Sequence, residues 1–419
     1  MTKKGLLFAV LLFCSVFFLL TACAGKSAAP SSVSFFNHVP ARPDSLSDYP
    51  AEPSSGKTAS QYLKDEKVFA GWNLGNTFDA FRDGIPGETL WGNPQVNQEL
   101  MNGVKAAGFD IIRIPVTWLG DIGPAPDFRI AVNRLRRVAE VAGMAHGAGL
   151  KAIINLHHDG QTESSGKDNG WLSIRQASRN QDEYNRISAQ YVRVWKQIAL
   201  YFQNYGDWLI FESFNELHDG NWQTVSDIGQ LITLNKWNKL FVDTIRATGG
   251  NNETRFLMVA AFCNDHKQAL APGFTLPEDP SDGRLILSFH YYDPSEFAIN
   301  GRRVTWGTDA DKRKVDDELA PFKARFIDKN IPVIMGECGA VLQLYPNDPV
   351  REKQAKQSRS DYLSHVFSTA KKYGLVPVYW DNGMTSGNVE KFGLLDRRTG
   401  RPNSPDSEAL IKLMINAVK

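Results

Sequence analysis

"LIFESFNEL", residues 209–217, is an apolar run of strand-forming residues that ends in an amide and a carboxylate, Asn215 and Glu216. Leu209, Ile210 and Phe211 suit a strand covered on both faces. A carboxylate at the tip of a buried strand is costly unless it is paired, so its presence there points to use. The same construction recurs along the chain. Strand-like runs lie at 68–75, 111–118, 151–158, 209–216, 255–262, 284–292, 331–339 and 375–382. Amphipathic helical stretches separate most of them, as at 130–148, 183–204, 230–248 and 351–373. Strands alternating with helices argue for βαβ units and a parallel sheet. Eight such units predict a closed (β/α)8 TIM barrel. An open doubly wound sheet would carry a glycine-rich phosphate loop after its first strand, and none is present. No repeat of fixed period exists, which excludes a solenoid.

Connection lengths say where the chemistry sits. Helices run into strands through short glycine-containing turns, "AAGFD", "GAGLK", "NYGDW" and "KKYGL". Glycine suits the left-handed residue that ends a helix. The connections that follow strands are long, as at 159–180, 293–309 and 383–404. Long loops therefore gather at the carboxyl end of the sheet, the functional end of such a barrel.

Six of the eight strands deliver polar or aromatic residues there: Arg113, His157-His158, Asn215-Glu216, His290-Tyr291-Tyr292, Glu337 and Trp380-Asp381-Asn382. A lone strand-end histidine usually just hydrogen-bonds a loop, and a lone glutamate often pairs with a neighbour. Convergence of six such tips on one mouth is harder to explain by packing. Glu216 and Glu337 decide the reaction class. Their strands are expected to face each other, with the carboxyl groups approaching to roughly 5 Å, the separation of a retaining glycosidase pair. One carboxyl must then be neutral while the other is ionised. Arg113 is the cation expected to hold one of them ionised, with Tyr292 donating to the same group, so that its pKa falls.

The chain as a whole sets other bounds. Lys+Arg number 47 against Asp+Glu 46, which excludes charge-driven nucleic-acid binding. There are 10 tryptophans, residues that stack on ring-shaped ligands as well as in cores. Lys3 and Lys4 precede an apolar run over 5–20 and then "LTAC", residues 20–23. That order reads as an export signal resembling a bacterial lipobox, with Cys23 the lipidated residue of an exported, surface- or periplasm-facing lipoprotein, or of a secreted one. Residues 24–57, rich in Ser, Pro and Ala, read as a flexible linker, and 58–419 as the catalytic domain. Cys263 and Cys338, the remaining cysteines, make no disulfide framework.

The segments "GWNLGNTFDA", "ETLWGNP", "GFDIIRIPVTW", "INLHHD", "FESFNEL", "HYYDP", "MGECGA", "YWDNG" and "FGLLDR" run in order through the barrel. On these segments the chain resembles glycoside hydrolase family 5, the large cellulase family of retaining (β/α)8 enzymes. The first two, with "FVDTIRATGGNN", look most like its subfamily 4. The resemblance implies that Glu216 is the acid/base and Glu337 the nucleophile. It also implies that Arg113, His157, Asn215, His290, Tyr292 and Trp380 complete the active-site set. Asn73, Asn76 and Trp91, in the family-like segments, are further expected sugar-site residues. Leu217 stands where the family usually has Pro, and Cys338 where it usually has Phe after the glutamate; neither change touches a carboxylate.

The implied activity is retaining endo-β-1,4-glucanase action on a β-glucan polysaccharide such as cellulose, mixed-linkage glucan or xyloglucan. Xyloglucan specificity and β-mannanase or xylanase action on the same scaffold are the alternatives. A monomer without cofactor is expected, touching membrane only through a lipid at Cys23. Two rivals belong to other classes. A metal hydrolase would use His157, His158, Asp159 and His218, but adjacent histidines in a strand point to opposite sides, so no metal is expected. A surface lipoprotein that binds glucan without cutting it would lack a catalytic carboxylate, and both are present.

Overall fold

Eight parallel strands close on themselves: β1 Gly71–Leu74, β2 Ile111–Ile114, β3 Lys151–Asn155, β4 Leu209–Glu212, β5 Leu257–Asp265, β6 Leu285–Tyr291, β7 Val333–Cys338 and β8 Val376–Asp381. Each pairs with its neighbours in sequence, and β8 pairs with β1, Gly71 lying opposite Val378. The structure is a computed structural model that describes residues 49–160, 168, 170–222, 225, 227–387 and 390–419. The leader and Cys23 lie outside the described residues. All eight predicted runs contain a strand.

Period-two alternation builds two cores from each strand. Residues on the outer face, such as Ile112, Ile154, Phe211 and Leu287, pack under the surrounding helices. Ile111, Ile153, Ile210, Met258, Ile286, Ile334 and Val378 fill the barrel's amino-terminal end, closed off by Tyr62 and Leu63 of the Ala59–Asp65 helix. Two residues further along, the inward positions turn polar: Asn73, Arg113, Asn155, Glu212 and Ser288, all 0% exposed.

Caps explain why the helices start where they do. The predicted 183–204 helix runs Gln181–Tyr201, because Asn180 accepts hydrogen bonds from the Asp182 and Glu183 amides. The predicted 351–373 helix begins at Pro349, after Asp348 accepts from the Arg351 amide, and stops at Gly374, φ 79°. The helices predicted at 130–148 and 230–248 run Val132–Gly147 and Ile228–Arg246. Gly206 of "NYGDW" differs from the other turn glycines, since its φ is not positive. It is small for a different reason: an added Cβ would sit 2.5 Å from Glu52.

That contact bears on the linker expected over 24–57, of which residues 24–48 lie outside the described residues. Its described part, residues 49–57, is packed on the barrel's amino-terminal face. Glu52 accepts from the Gly206 amide at 2.9 Å and the Trp208 indole at 2.6 Å. The Ser55 amide donates to Asp207 at 2.8 Å, and Tyr49 stacks on Tyr205 at 4.0 Å between ring centroids. Composition marked this stretch as free because its few large side chains are the ones that dock.

Candidate active site

The predicted tips do not lie where the strands end. The β3 ladder stops at Asn155 and β4 at Glu212, so His157-His158 and Asn215-Glu216 sit on the loops just beyond. Leaving the ladder frees them from the pleat. His157 and His158 therefore line the same cleft, contrary to the expected opposition of adjacent strand residues, with ring centroids 4.5 Å apart. Strands β4 and β7 are not diametrically opposed either, since only β5 and β6 separate them on one side. His290 of β6 stands between their carboxyl groups.

The cleft has a volume of about 550 Å³, and its floor is made by Glu216, His290, Tyr292, Glu337, His157 and Trp380. Carboxyl oxygens of Glu216 and Glu337 lie within 4.8 Å of one another. His290 Nδ1 is 2.7 Å from Glu216 Oε1 and 3.7 Å from Glu337 Oε2. The two carboxyls are held differently. Glu337 Oε1 accepts from Arg113 Nη1 at 2.7 Å, and its Oε2 accepts from the Tyr292 hydroxyl at 3.0 Å. Among the described residues Glu216 has no guanidinium partner; its amide N–H donates to Asn264 Oδ1 at 2.8 Å, and its φ is 43°. Asn215 Oδ1 accepts from Arg113 Nη2 at 2.7 Å, while its buried Nδ2 has no full hydrogen bond among the described residues, although the Asn215 side chain favours the ionised form of Glu216. The Trp380 ring lies parallel to His157, 3° between planes at 6.1 Å.

Burial pushes the Glu216 carboxyl up to about 7, against the more distant charge of Arg113. Burial also raises Glu337, where His290 and Arg113 pull the other way. This corrects the expected lowering. Arg113 and Tyr292 do hold the carboxyl, but at 5% residue exposure the lost hydration outweighs them. Burial pushes His290 down to about 4, and Arg113 is the permanent counter-charge of the site. Of the two cleft carboxyls, Glu337 is the one that touches that charge directly.

The remaining predicted residues serve other ends. Asn73 is wholly buried; its Oδ1 accepts from Arg113 Nη1 at 3.1 Å and its Nδ2 donates to the Gly336 carbonyl at 2.9 Å, so it orients the arginine from below. Asn76 is a left-handed turn residue, φ 55°, whose carbonyl accepts from Asn93. Trp91 gives its indole N–H to the Phe81 carbonyl and packs 5.6 Å from the His158 ring, behind the cleft wall. Of the other tryptophans, Trp72, Trp118 and Trp306 are buried, whereas Trp222 is 50% exposed and lines the cleft. Cys263 and Cys338 are both buried. Sequence reading passed over Glu212, Asn155, Ser288 and Asn264, the buried groups beneath the mouth.

Among the described residues, the four residues of the rival metal-hydrolase reading do not gather into one ligand cluster. Asp159 spends its oxygens on the Trp118 amide and Trp171 indole, and His218 Nδ1 accepts from the Gly220 amide. Asp79 approaches His157 and His158, yet its two oxygens take the Asn76 and Thr77 amides. A larger groove of about 950 Å³ beside the Pro349–Tyr373 helix carries no carboxyl pair of this kind, since Lys356 bridges its Glu352 and Asp406.

A closed (β/α)8 barrel with two carboxyls this close at its carboxyl-end mouth is the arrangement of a glycoside hydrolase. Residues 72–386 match the cellulase family, glycosyl hydrolase family 5. The chain is 38% identical over 361 residues to endoglucanase A of Paenibacillus barcinonensis, covering 81% of this chain and 86% of that protein. It is 36% identical over 367 residues to the xyloglucan-specific endo-β-1,4-glucanase of Bacteroides ovatus, covering 83% and 68%. Its fold superposes with TM-score 0.79 on a GH5-4 broad specificity endoglucanase from Bacteroides salanitronis, at 37% identity over 89% of this chain and 98% of that one. The chain belongs to glycoside hydrolase family 5.

Proposed function

We propose that the protein is a retaining endo-β-1,4-glucanase in which Glu337 is the nucleophile and Glu216 the acid/base. The observation that carries this is the asymmetry of the pair: carboxyl oxygens within 4.8 Å, one residue bound by a guanidinium at 2.7 Å and the other not. Glu337 attacks the anomeric carbon while Glu216 passes its proton to the departing glycosidic oxygen. The C–O bond to the leaving sugar breaks as the bond to Glu337 forms. Glu216, now ionised, takes a proton from water, whose oxygen displaces Glu337 and restores the starting anomeric configuration. Asn215 Nδ2 is free to meet the sugar 2-hydroxyl, and Trp380 offers its ring face beneath the reacting sugar. Trp222, half exposed on the wall, gives a second stacking surface away from the cut.

The names of the relatives support β-1,4-glucans, xyloglucan among them, as the substrate class. Proton NMR of a soluble β-glucan digest should show the β-anomer first; initial α-anomer would end the two-step scheme. A parallel panel of carboxymethylcellulose, mixed-linkage glucan, xyloglucan, mannan and xylan tests the polymer class, and release from mannan or xylan alone would overturn the glucanase reading.

The acid must be protonated to act, and burial holds Glu216 at about 7. Its active form is therefore present below that pH and lost above it. The expected profile of kcat/KM falls about tenfold per pH unit above roughly pH 7. A flat profile to pH 9 would remove Glu216 from the acid role.

Residues 1–23 carry the proposal of export with a lipid on Cys23, supported by the basic, apolar and "LTAC" order of the leader. No helix of the described residues is long and apolar enough to cross a membrane. Mass spectrometry of the mature amino terminus reads this directly; an unmodified residue other than Cys23 there would refute it.

A further inference from the structure

Beneath the two cleft carboxyls lies a third, Glu212, which the displacement scheme does not use. It is 0% exposed. Its Oε2 accepts from Arg113 Nε at 2.7 Å and from Asn155 Nδ2 at 3.0 Å, and its Oε1 accepts from the Ser288 hydroxyl at 2.8 Å. Three donors aimed at one carboxyl, with no acceptor for a proton of its own, is the pattern of an ionised group. The network continues upward. Asn264 Nδ2 donates to Ser288 Oγ at 3.3 Å, and Asn264 Oδ1 accepts the Glu216 amide at 2.8 Å. Both Glu216, φ 43°, and Asn264, φ 48°, are left-handed; Asn enters that region readily, whereas Glu holds it only when its surroundings keep it there.

A continuous run of contacts thus links the two carboxyls from below: Glu337, Arg113, Glu212, Ser288, Asn264 and the Glu216 backbone. Resting on the roles proposed above for Glu337 and Glu216, we propose that Glu212 is a positioning residue for both. It divides the single charge of Arg113 between itself and Glu337, and through Ser288 and Asn264 it holds the left-handed turn that presents Glu216 to the cleft.

A simpler role, stability through a buried ion pair, accounts for less. Apolar residues of similar volume commonly serve stability as well as a buried pair does. Nor does a stabilising pair explain why the second oxygen is tied, through two more side chains, to the backbone of the other carboxyl. Charge supplies the consequence. Glu212 and Glu337 compete for one guanidinium, and Glu212 adds a negative charge near Glu216, where after burial it is among the influences that disfavour ionisation. Removing that charge leaves Arg113 to Glu337 alone. Both reacting carboxyls should then lose their protons at lower pH.

The test compares kcat/KM against pH on soluble mixed-linkage β-glucan for the full chain and for Glu212→Gln. The amide keeps the volume and one acceptor for Arg113. Both limbs of the bell should move down together by about one pH unit. Limbs that stay in place in a folded variant, or move apart or upward, overturn the proposal. Ser288→Ala keeps the charge and cuts the link to Asn264. Its limbs should stay, while kcat falls about tenfold or more at unchanged KM, as expected when a reacting group is misplaced. If Glu212→Gln does not fold, Ser288→Ala decides alone, and unchanged kcat overturns the proposal. A wild-type protein inactive on every glucan, or a fully active Glu337→Gln, would instead bring down the reading of the two carboxyls, and this inference with it.

Discussion

Glu337→Gln leaves a folded protein that no longer cuts glucan, with kcat reduced on the order of 10⁴-fold or more. The amide matches the carboxylate in shape, and its oxygen still accepts from Arg113 Nη1, now 2.7 Å from Glu337 Oε1. What disappears is the negatively charged oxygen that forms the bond to the anomeric carbon. No nearby group replaces it. Tyr292, the other side chain bound to Glu337, has its hydroxyl held protonated chiefly by burial, which the substitution leaves in place. His290 lies 3.7 Å away but is fixed against Glu216 at 2.7 Å. Folding should survive, because burial already disfavours the ionised form of Glu337 and the neutral amide is easier to desolvate. Circular dichroism checks the fold, and reducing-sugar release from a soluble β-glucan checks the rate. Residual activity above a few per cent of wild type would assign the nucleophile elsewhere.

Glu216→Gln should fail differently. It removes the proton donor and leaves the nucleophile, so the loss depends on how much help the leaving group needs. On polysaccharide, whose leaving sugar is a poor alkoxide, kcat should fall about 10²–10⁴-fold. On an aryl cellobioside with a good leaving group, glycosyl-enzyme formation should proceed and the intermediate accumulate. Azide, which needs no general base, should then restore turnover and yield the β-glycosyl azide. The fall above pH 7 should vanish, because the group pushed up to about 7 is gone. Equal losses on both substrates, with no rescue by azide, would contradict the acid/base role. The pair of variants thus separates attack from protonation within one cleft.

Legibility in the sequence followed the physics of each feature. Strand positions were readable because each barrel strand is buried on both sides and so appears as a short apolar run. The mouth was readable because polar residues at the ends of such runs have no place in a core. Glu212 escaped notice because it sits inside the run, where Leu209 to Phe211 dominate the pattern. A periodic signal was nevertheless present. Ile111 and Arg113, Ile153 and Asn155, Ile210 and Glu212, and Ile286 and Ser288 repeat one spacing, an apolar inward residue followed two later by a polar one. Aligning the strands on that spacing reveals a polar layer below the mouth. The docking of Glu52 and Tyr49 left no such trace, since their partners lie more than a hundred residues away in the chain.

The order of residues alone determined the eightfold alternation, the end of the barrel where the long loops gather and the two carboxyls proposed to react there, because burial period and strand-tip polarity are local properties. Tertiary structure alone decided which carboxyl Arg113 binds, that it is shared with Glu212, that Trp222 faces the cleft while Trp72 and Trp118 do not, and that lost hydration raises Glu337 in spite of its cation. Those outcomes depend on distances and on exclusion of water between segments remote in sequence, which no local pattern records.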